Sequence, residues 1–233
     1  MAIDLDAQRP QVMAAVKRAM RASVASRSKL LGVKGEALAA ATDADRSLAT
    51  APTLPAIERY TGVLYQELDA AGLRAASRRR FDCSVLIVSG LWGLVAPSDP
   101  IPNYKLKMSA TLPGLGKLST WWRPAITDQI ADATRGRQIW NLLPNEHDAA
   151  WSTDHRPGQI QVSFLDRRSN GDLVAVSHWN KLLKGSLVRF LVDRPAPEID
   201  SLEAFHHPLG YRFEPSLTTF SGGSTQCRFV ADR

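Results

Sequence analysis

The spacing of apolar residues near the start of the chain predicts a long amphipathic helix. Four apolar residues recur there at helical intervals: Val12, Val16, Met20 and Val24. This period predicts one helix over residues 11–31, with a basic face opposite the apolar one. Residues 36–54 are rich in Ala, Thr, Asp and Pro, and they predict a weak helix that passes into a loop.

A second helical pattern follows Pro55. Proline suits the first turn of a helix, and Gly72 lies where such a helix would end. The apolar positions of this segment again recur three or four residues apart: Ile57, Tyr60, Leu64 and Leu68. We therefore predict one helix over residues 55–73.

Other apolar patterns predict strands. The continuous apolar run SVLIVSGLWGLV, residues 84–95, predicts a central strand that is covered on both faces. QIWNLL, residues 138–143, predicts a second interior strand. Apolar and polar residues alternate over 160–164, and Asn170-Gly171 is typical of a tight hairpin turn before DLVAVS. QCRFVAD, residues 226–232, predicts the last strand.

The pattern returns to helical spacing after this hairpin. WNKLLKGSLVRFLV, residues 179–192, has an apolar face on a helix that Pro195 would end. No internal repeat and no separate linker interrupts the chain. The patterns predict an α+β protein, a single compact domain over residues 1–233 with a mixed β-sheet surrounded by helices.

Composition and charge narrow the function classes. The chain has 233 residues, 44% of them hydrophobic and 22% charged, which is typical of a globular protein. Its formal net charge of +6 and pI of about 9.6 favour anionic partners. No apolar run is long enough for a membrane span, and the N-terminus does not resemble a secretory signal. Cys83 and Cys227 form no CxxC pair, so we expect neither a disulfide scaffold nor a cysteine-rich zinc site. This favours a cytoplasmic protein, and we expect both thiols to be buried.

The proline- and glycine-rich segment 96–118 is the first candidate site. A loop of this length in a compact domain is usually functional. It contains Tyr104, Lys105 and Lys107 within four residues. In an extended backbone the two lysines project to the same side, where a phosphate would relieve the repulsion between their ammonium groups. The alternative is that both lysines are solvated surface residues.

The start of the helix predicted over 179–192 is the second candidate site. A helix N-terminus favours anions, and Lys181 and Lys184 are three residues apart on one face. Asn180 or Ser177 could instead cap the helix. His178 is either a general base or a buried, hydrogen-bonded imidazole.

Acidic and imidazole side chains form the third candidate site. Glu146, His147 and Asp148 are three consecutive ionisable residues in a segment after a predicted strand end. Such groups suit acid–base chemistry, although neighbouring positions do not ordinarily point together. The spacing of the histidines does not fit a metal site, so we expect no metal and no cofactor.

Three ordered motifs resemble those of a known family. Ser89-Gly90-Leu91-Trp92-Gly93 ends the first apolar run, PSDPIPNYKLKM covers residues 97–108, and SHWNKLLKG covers 177–185. Together with YTGVLY upstream and LGYRFEP downstream, this order resembles the YaaA (DUF328, UPF0246) family of bacterial peroxide-stress proteins. The resemblance is strongest over residues 55–231. Family members begin with a strand and a lysine-containing loop that this chain, starting on a helix, is expected to lack.

The resemblance implies a compact cytoplasmic α/β protein with a basic cleft. It implies DNA binding, without sequence preference, that limits oxidative DNA damage. The positions that match the family's motifs are the expected cleft residues: Ser89, Trp92, Tyr104, Lys105, Lys107, His178, Asn180, Lys181 and Lys184.

The residues leave two other hypotheses open. The same lysines could hold a nucleotide or another phosphorylated small molecule, with Glu146, His147 or His178 as the acid or base of an enzyme. In the third hypothesis the apolar face of the first helix packs on another subunit, which predicts a homo-oligomer.

Overall fold

The computed structural model describes residues 3–153, 156, 158–176 and 178–233. Among them the α-helices are α1 (Arg9–Ala19), α2 (Val24–Leu31), α3 (Gly35–Arg46), α4 (Ala56–Arg59), α5 (Val63–Leu68), α6 (Ala75–Ser84), α7 (Leu118–Ala133), α8 (Asn145–Asp148) and α9 (Asn180–Val192). Short 3₁₀ helices cover Ala70–Gly72, Ile199–Ala204 and Pro215–Leu217.

The strands of the same residues are mostly short. They are β1 (Thr53–Pro55), β2 (Ile87–Ser89), β3 (Gly93–Val95), β4 (Pro100–Pro102), β5 (Thr111–Leu112), β6 (Gly116–Lys117), β7 (Ile139–Asn141), β8 (Gln159–Arg167), β9 (Leu173–Ala175), β10 (Arg212–Phe213), β11 (Thr219–Ser221) and β12 (Ser224–Asp232). This mixture of helices with mixed sheets confirms the α+β class.

The contacts within the chain define two units. The first unit comprises the described residues within 1–59, 85–135 and 143–155, and the second comprises those within 60–84, 136–142 and 156–233. The prediction of one domain over residues 1–233 stays a prediction.

The first unit consists of helices and three two-stranded sheets. Antiparallel pairs join β1 to β4, β2 to β3 and β5 to β6. The apolar face of α1 is fully buried in this unit, because Val12, Val16 and Met20 have no exposed surface. These three side chains therefore pack within the chain, and the homo-oligomer stays a prediction.

The prediction of one helix over residues 11–31 was wrong. The chain leaves α1 at Ala19, and α2 starts after Ser23, whose side chain accepts a hydrogen bond from the Ser26 N–H. This N-cap begins a new helix. Val24, predicted as the last residue of the apolar face, is consequently 63% exposed.

The helix predicted over residues 55–73 is also divided. α4 ends at Arg59, and α5 begins at Val63 with Gly62 in an extended backbone conformation at its N-cap. Ile57 is buried in the first unit and Leu68 in the second. The apolar residues of this segment are thus distributed between two units rather than along one helix.

Residues 87–95 of the apolar run 84–95 form a buried hairpin instead of a central strand, and Ser84 is the last residue of α6. Ile87, Val88 and Ser89 pair antiparallel with Val95, Leu94 and Gly93. Gly93 has a φ of +71°, a conformation that glycine adopts without strain and that helps the chain reverse. Both strands are buried, as the apolar composition predicted.

The second unit is built around a mixed sheet. Its two nine-residue strands, β8 and β12, lie side by side and parallel at the centre. β7 and β9 pair with successive segments of the free side of β8, and β10 and β11 pair with β12 on its other side. The predicted hairpin of β8 and β9 and the predicted last strand are confirmed. β7 lies at the edge of the sheet, so its prediction as an interior strand was wrong.

Helix α9 covers this sheet and also packs on α5. Leu183, Leu187 and Leu191 belong to the same buried apolar cluster as Ile160 and Phe229 of the sheet. The helix predicted over residues 179–192 is therefore confirmed.

The contact between α9 and α5 is close. A Cβ at Gly185 would lie 2.3 Å from the Leu64 carbonyl oxygen of α5. Ser186 donates a hydrogen bond of 2.6 Å to Glu67, and Arg189 donates one of 2.9 Å to the Leu68 carbonyl. These contacts hold α5 against one face of α9.

The two cysteines differ in environment. Cys227 is buried in the sheet, and burial raises the pKa of its thiol to about 11. Cys83 is exposed at the end of α6, so its prediction as a buried thiol was wrong. Among the described residues, none of the helices has the length and apolar character needed to cross a membrane.

Candidate functional site

The proline-rich loop is fixed to the buried hairpin of the first unit by a pair of hydroxyl groups. Ser89 Oγ and Tyr104 Oη are 2.7 Å apart, and Ser89 Oγ also accepts a hydrogen bond of 3.1 Å from the Trp92 N–H. Two residues from the family-like motifs, Ser89 and Tyr104, are thus in contact although 15 positions separate them. Trp92 is half-buried, and its indole N–H has no hydrogen-bond partner among the described residues.

Gly90 brings the loop backbone against the same hairpin. A Cβ at this position would lie 2.9 Å from the Leu106 carbonyl oxygen and 3.0 Å from the Met108 nitrogen. Only glycine leaves room for such an approach between two backbones. The glycine of the Ser-Gly-Leu-Trp-Gly motif therefore has a packing role.

Asp45 of α3 fixes the loop from another direction. Its Oδ1 accepts a hydrogen bond of 2.8 Å from the backbone N–H of Lys105. Its side chain is almost fully covered, since the residue is 1% exposed. Oδ2 is also buried, and it has no hydrogen-bond partner among the described residues.

Burial changes the acidity of this carboxyl. It raises the pKa of Asp45 to about 7, although the hydrogen bond from Lys105 acts in the opposite direction. Asp45 is absent from the sequence predictions. Its spacing from Leu38 and Thr42, seven and three residues earlier on the covered face of α3, is the signal that could have identified it as buried.

Lys107 lies against the helical hairpin of α2 and α3. Its Nζ would be 2.6 Å from a Cβ placed at Gly32, the C-cap residue of α2, which has a φ of +69°. The C-terminus of a helix carries partial negative charge. The Lys107 ammonium group at the end of α2 therefore stabilises this helix and is itself stabilised there. Lys105 and Lys107 are both exposed.

The turn between α2 and α3 adds further positive charge. Lys29 lies in the last turn of α2, and Lys34 is the N-cap residue of α3; both are exposed. α3 has no side-chain cap at its N-terminus, and its first turn contains one acid, Glu36. We call Lys29, Lys34, Lys105 and Lys107 the hairpin–loop surface. The sequence predictions included only the two lysines of the loop.

Glu146 and His147 are close together, contrary to the expectation for neighbouring positions. His147 Nδ1 is 3.8 Å from Glu146 Oε1, and Ser109 Oγ donates a hydrogen bond of 2.8 Å to Glu146 Oε2. The one-turn helix α8 carries both residues, while Ser109 lies two positions after Lys107. Asp148 is half-buried on the same turn.

The candidates at the start of α9 belong to the second unit. His178 is exposed, which contradicts its interpretation as a buried imidazole, and Lys181 is exposed. Lys184 is 8% exposed, so it does not form an accessible pair with Lys181. Asn180 begins the helix without capping it, and its Oδ1 has no hydrogen-bond partner among the described residues. Ser177, the other predicted cap, lies outside the described residues.

The structure therefore places the predicted residues in three groups. Ser89, Trp92, Tyr104, Lys105 and Lys107 form one group, and Glu146 with His147 forms another in the same unit. His178 and its neighbours on α9 lie in the second unit. The common cleft of the two lysine pairs stays a prediction. The described residues contain no group of three or more His, Cys, Asp or Glu side chains that could hold a metal ion.

The ordered motifs and these contacts define an α+β protein with a lysine-bearing loop packed on a buried hairpin and a helical hairpin. A model of the family described as Peroxide stress protein YaaA matches residues 3–217. The chain belongs to this family. The match reaches the N-terminal helices as well as the segment 55–217 in which the motifs occur.

Curated relatives support the same assignment. The chain is 38% identical over 182 residues to a UPF0246 protein of Streptomyces coelicolor, a match of 75% of this chain and 68% of that protein. It is 31% identical over 169 residues to one of Marinomonas, covering 71% and 64%. It is 30% identical over 169 residues to one of Flavobacterium johnsoniae, covering 70% and 66%. The chain thus spans about two thirds of the length of these relatives.

Proposed function

We propose that this protein binds the phosphate backbone of DNA without sequence preference and thereby limits oxidative DNA damage in the bacterial cytoplasm. The family's description as a peroxide stress protein supports the physiological part of this proposal. The positive net charge supports an anionic partner.

The hairpin–loop surface is the observation that carries the DNA-binding part. The backbone of the loop is held by Asp45 and by the Ser89–Tyr104 contact, so Lys105 and Lys107 start from ordered positions. Side chains on a fixed backbone lose less entropy when they bind, which favours affinity. Lysines contact phosphates as point charges and read no base sequence, in agreement with non-specific binding.

The salt dependence of DNA binding tests this surface. Replacing both loop lysines, Lys105→Ala with Lys107→Ala, is expected to weaken binding to a duplex and to reduce the slope of log K against log salt by about 1.8, since each phosphate contact contributes about 0.9. Fluorescence anisotropy with a labelled duplex at four salt concentrations measures both quantities. Circular dichroism checks that the loss of Lys107 from the end of α2 leaves the fold intact.

A matched variant removes the same charge elsewhere. Lys17→Ala with Lys117→Ala replaces two exposed lysines of the first unit, one on α1 and one on β6. This variant is expected to retain the slope of the wild-type protein. An equal loss of slope in both double variants would contradict a specific hairpin–loop surface, and absence of binding at low salt would contradict DNA binding altogether.

Protection of DNA requires its own measurement. Nicking of a supercoiled plasmid by ferrous iron and peroxide is expected to slow in the presence of the wild-type protein. The Lys105→Ala, Lys107→Ala variant should protect less, in proportion to its lost affinity. Equal protection by both proteins would separate the protective activity from binding at this surface.

The contact of Ser109, Glu146 and His147 favours a second candidate function. A carboxylate next to an imidazole suits general acid–base catalysis, and Lys107 is two residues from Ser109. These groups support an enzyme that acts on a nucleotide or another phosphorylated small molecule, with the loop lysines holding phosphate.

A ligand screen tests this candidate. A nucleotide that is a substrate is expected to raise the melting temperature of the wild-type protein. Glu146→Gln should retain this shift but abolish product formation, as followed by mass spectrometry, while the neighbouring Asp148→Asn should retain both. If neither a nucleotide nor any other phosphorylated small molecule raises the melting temperature, the enzyme hypothesis is wrong.

A further inference from the structure

Two aromatic side chains at the start of α9 are exposed to solvent. Trp179 is 43% exposed, whereas Trp122 and Trp151 in the first unit are almost fully buried. The neighbouring His178 is also exposed. Its ring and the indole ring form a T-shaped contact, with an interplanar angle of 87° and centroids 4.8 Å apart. Such a contact restrains the orientation of the indole, although neither ring belongs to the apolar core.

The first turn of α9, which follows these rings, contains a cation and no acidic residue. This cation is Lys181, which is exposed two residues after Trp179. A flat apolar ring with a cation close by in sequence matches a nucleobase joined to a phosphate. An apolar protein segment would use the indole but would have no use for the cation.

We propose that Trp179 is a stacking site for an unpaired nucleobase, with the phosphate of the same strand at Lys181. The inference rests on the proposed DNA binding and specifies its substrate class as DNA with single-stranded segments. Every base has a π-face, so stacking requires no particular sequence. In an intact duplex the neighbouring base pairs cover these faces, and the indole has no access to them.

Binding to a single strand and to a duplex of equal length tests the proposal. For a labelled oligothymidylate, Trp179→Ala is expected to raise Kd about 5- to 150-fold, the range that stacking of one base on an aromatic side chain contributes. The Kd for the duplex should change less than about twofold. Trp179→Phe, which keeps an aromatic face, should restore most of the affinity for the single strand.

The salt dependence separates stacking from charge. Trp179→Ala should leave the slope of log K against log salt unchanged, whereas Lys181→Ala should reduce the slope for the single strand by about 0.7. The matched control is Phe220→Ala, because Phe220 is an aromatic residue of the same unit and is 75% exposed. This control should bind the single strand with the affinity of the wild-type protein.

The possible results distinguish the two proposals. Duplex binding with an unchanged single-strand Kd in Trp179→Ala would overturn the stacking site and leave DNA binding intact. Failure to bind either form at low salt would refute DNA binding itself. Thymidine monophosphate is the third probe: if it bound as tightly as the oligomer, and through Trp179, the ligand would be a free nucleotide and the single-strand assignment would be wrong.

Discussion

Gly185→Ala is expected to lower the free energy of unfolding of the protein by about 3 kcal/mol. The new Cβ would lie 2.3 Å from the Leu64 carbonyl oxygen and 3.0 Å from Glu67 Cβ. A backbone carbonyl cannot rotate away as a side chain can, so α5 would have to move from α9. Overpacking of this kind typically costs 1 to 3 kcal/mol and occasionally more.

Helix propensity predicts the opposite sign for this substitution. Alanine within a helix is about 1 kcal/mol more favourable than glycine. Chemical denaturation of Gly185→Ala therefore decides between local propensity and the contact with α5. An increase in stability would contradict the close approach of the two helices.

Gly62→Ala is a suitable control for the same unit. Gly62 has an extended backbone that alanine also adopts, and a Cβ there would lie 4.0 Å from Tyr65, an ordinary contact. Its effect is expected to stay within about 1 kcal/mol, the loss associated with alanine at an N-cap.

Asp45→Asn is expected to make the protein more stable at pH 8 and to remove part of its pH dependence. The pKa of Asp45 rises from 3.8 to about 7 on folding. Between these values the folded chain holds a proton that the unfolded chain releases, so stability falls as the pH rises. From pH 5 to pH 8 this carboxyl alone should lower the free energy of unfolding by about 3 kcal/mol.

Asparagine retains the acceptor for the Lys105 N–H and has no charge to bury. Denaturant unfolding at pH 5, 6.5 and 8 should therefore show the wild-type protein losing about 3 kcal/mol more than Asp45→Asn. The control is Asp43→Asn, on the same helix but exposed, which should follow the wild-type profile. Parallel profiles for wild type and Asp45→Asn would disprove the altered acidity.

The sequence predicted best the parts of the fold that have local signals. The hairpin of β8 and β9 depends on alternation and on Asn170-Gly171, and α9 depends on a continuous apolar face. Residues 84–95 were harder, because an apolar run has no period that separates one strand from two. Gly90 and Gly93 within it were the available sign of a reversal.

The candidate site was predictable only in part, for a physical reason. The prolines and glycines of segment 96–118 predicted an irregular loop, and its lysines could be identified directly in the sequence. The order of the motifs indicated the family. The contact of Asp45 with Lys105 joins residues 60 positions apart, and local spacing contains no information about such pairs. The proximity of Glu146 and His147 likewise depends on the single turn α8 and on Ser109.

The outer edges of the sheet in the second unit have a consequence for association between molecules. Each edge consists of two separate strands of two or three residues, β7 and β9 on one side and β10 and β11 on the other. A strand from another molecule would find only a few consecutive free backbone groups, too few for a stable ladder. The long strands β8 and β12, which would be strong templates for aggregation, are enclosed by these short ones.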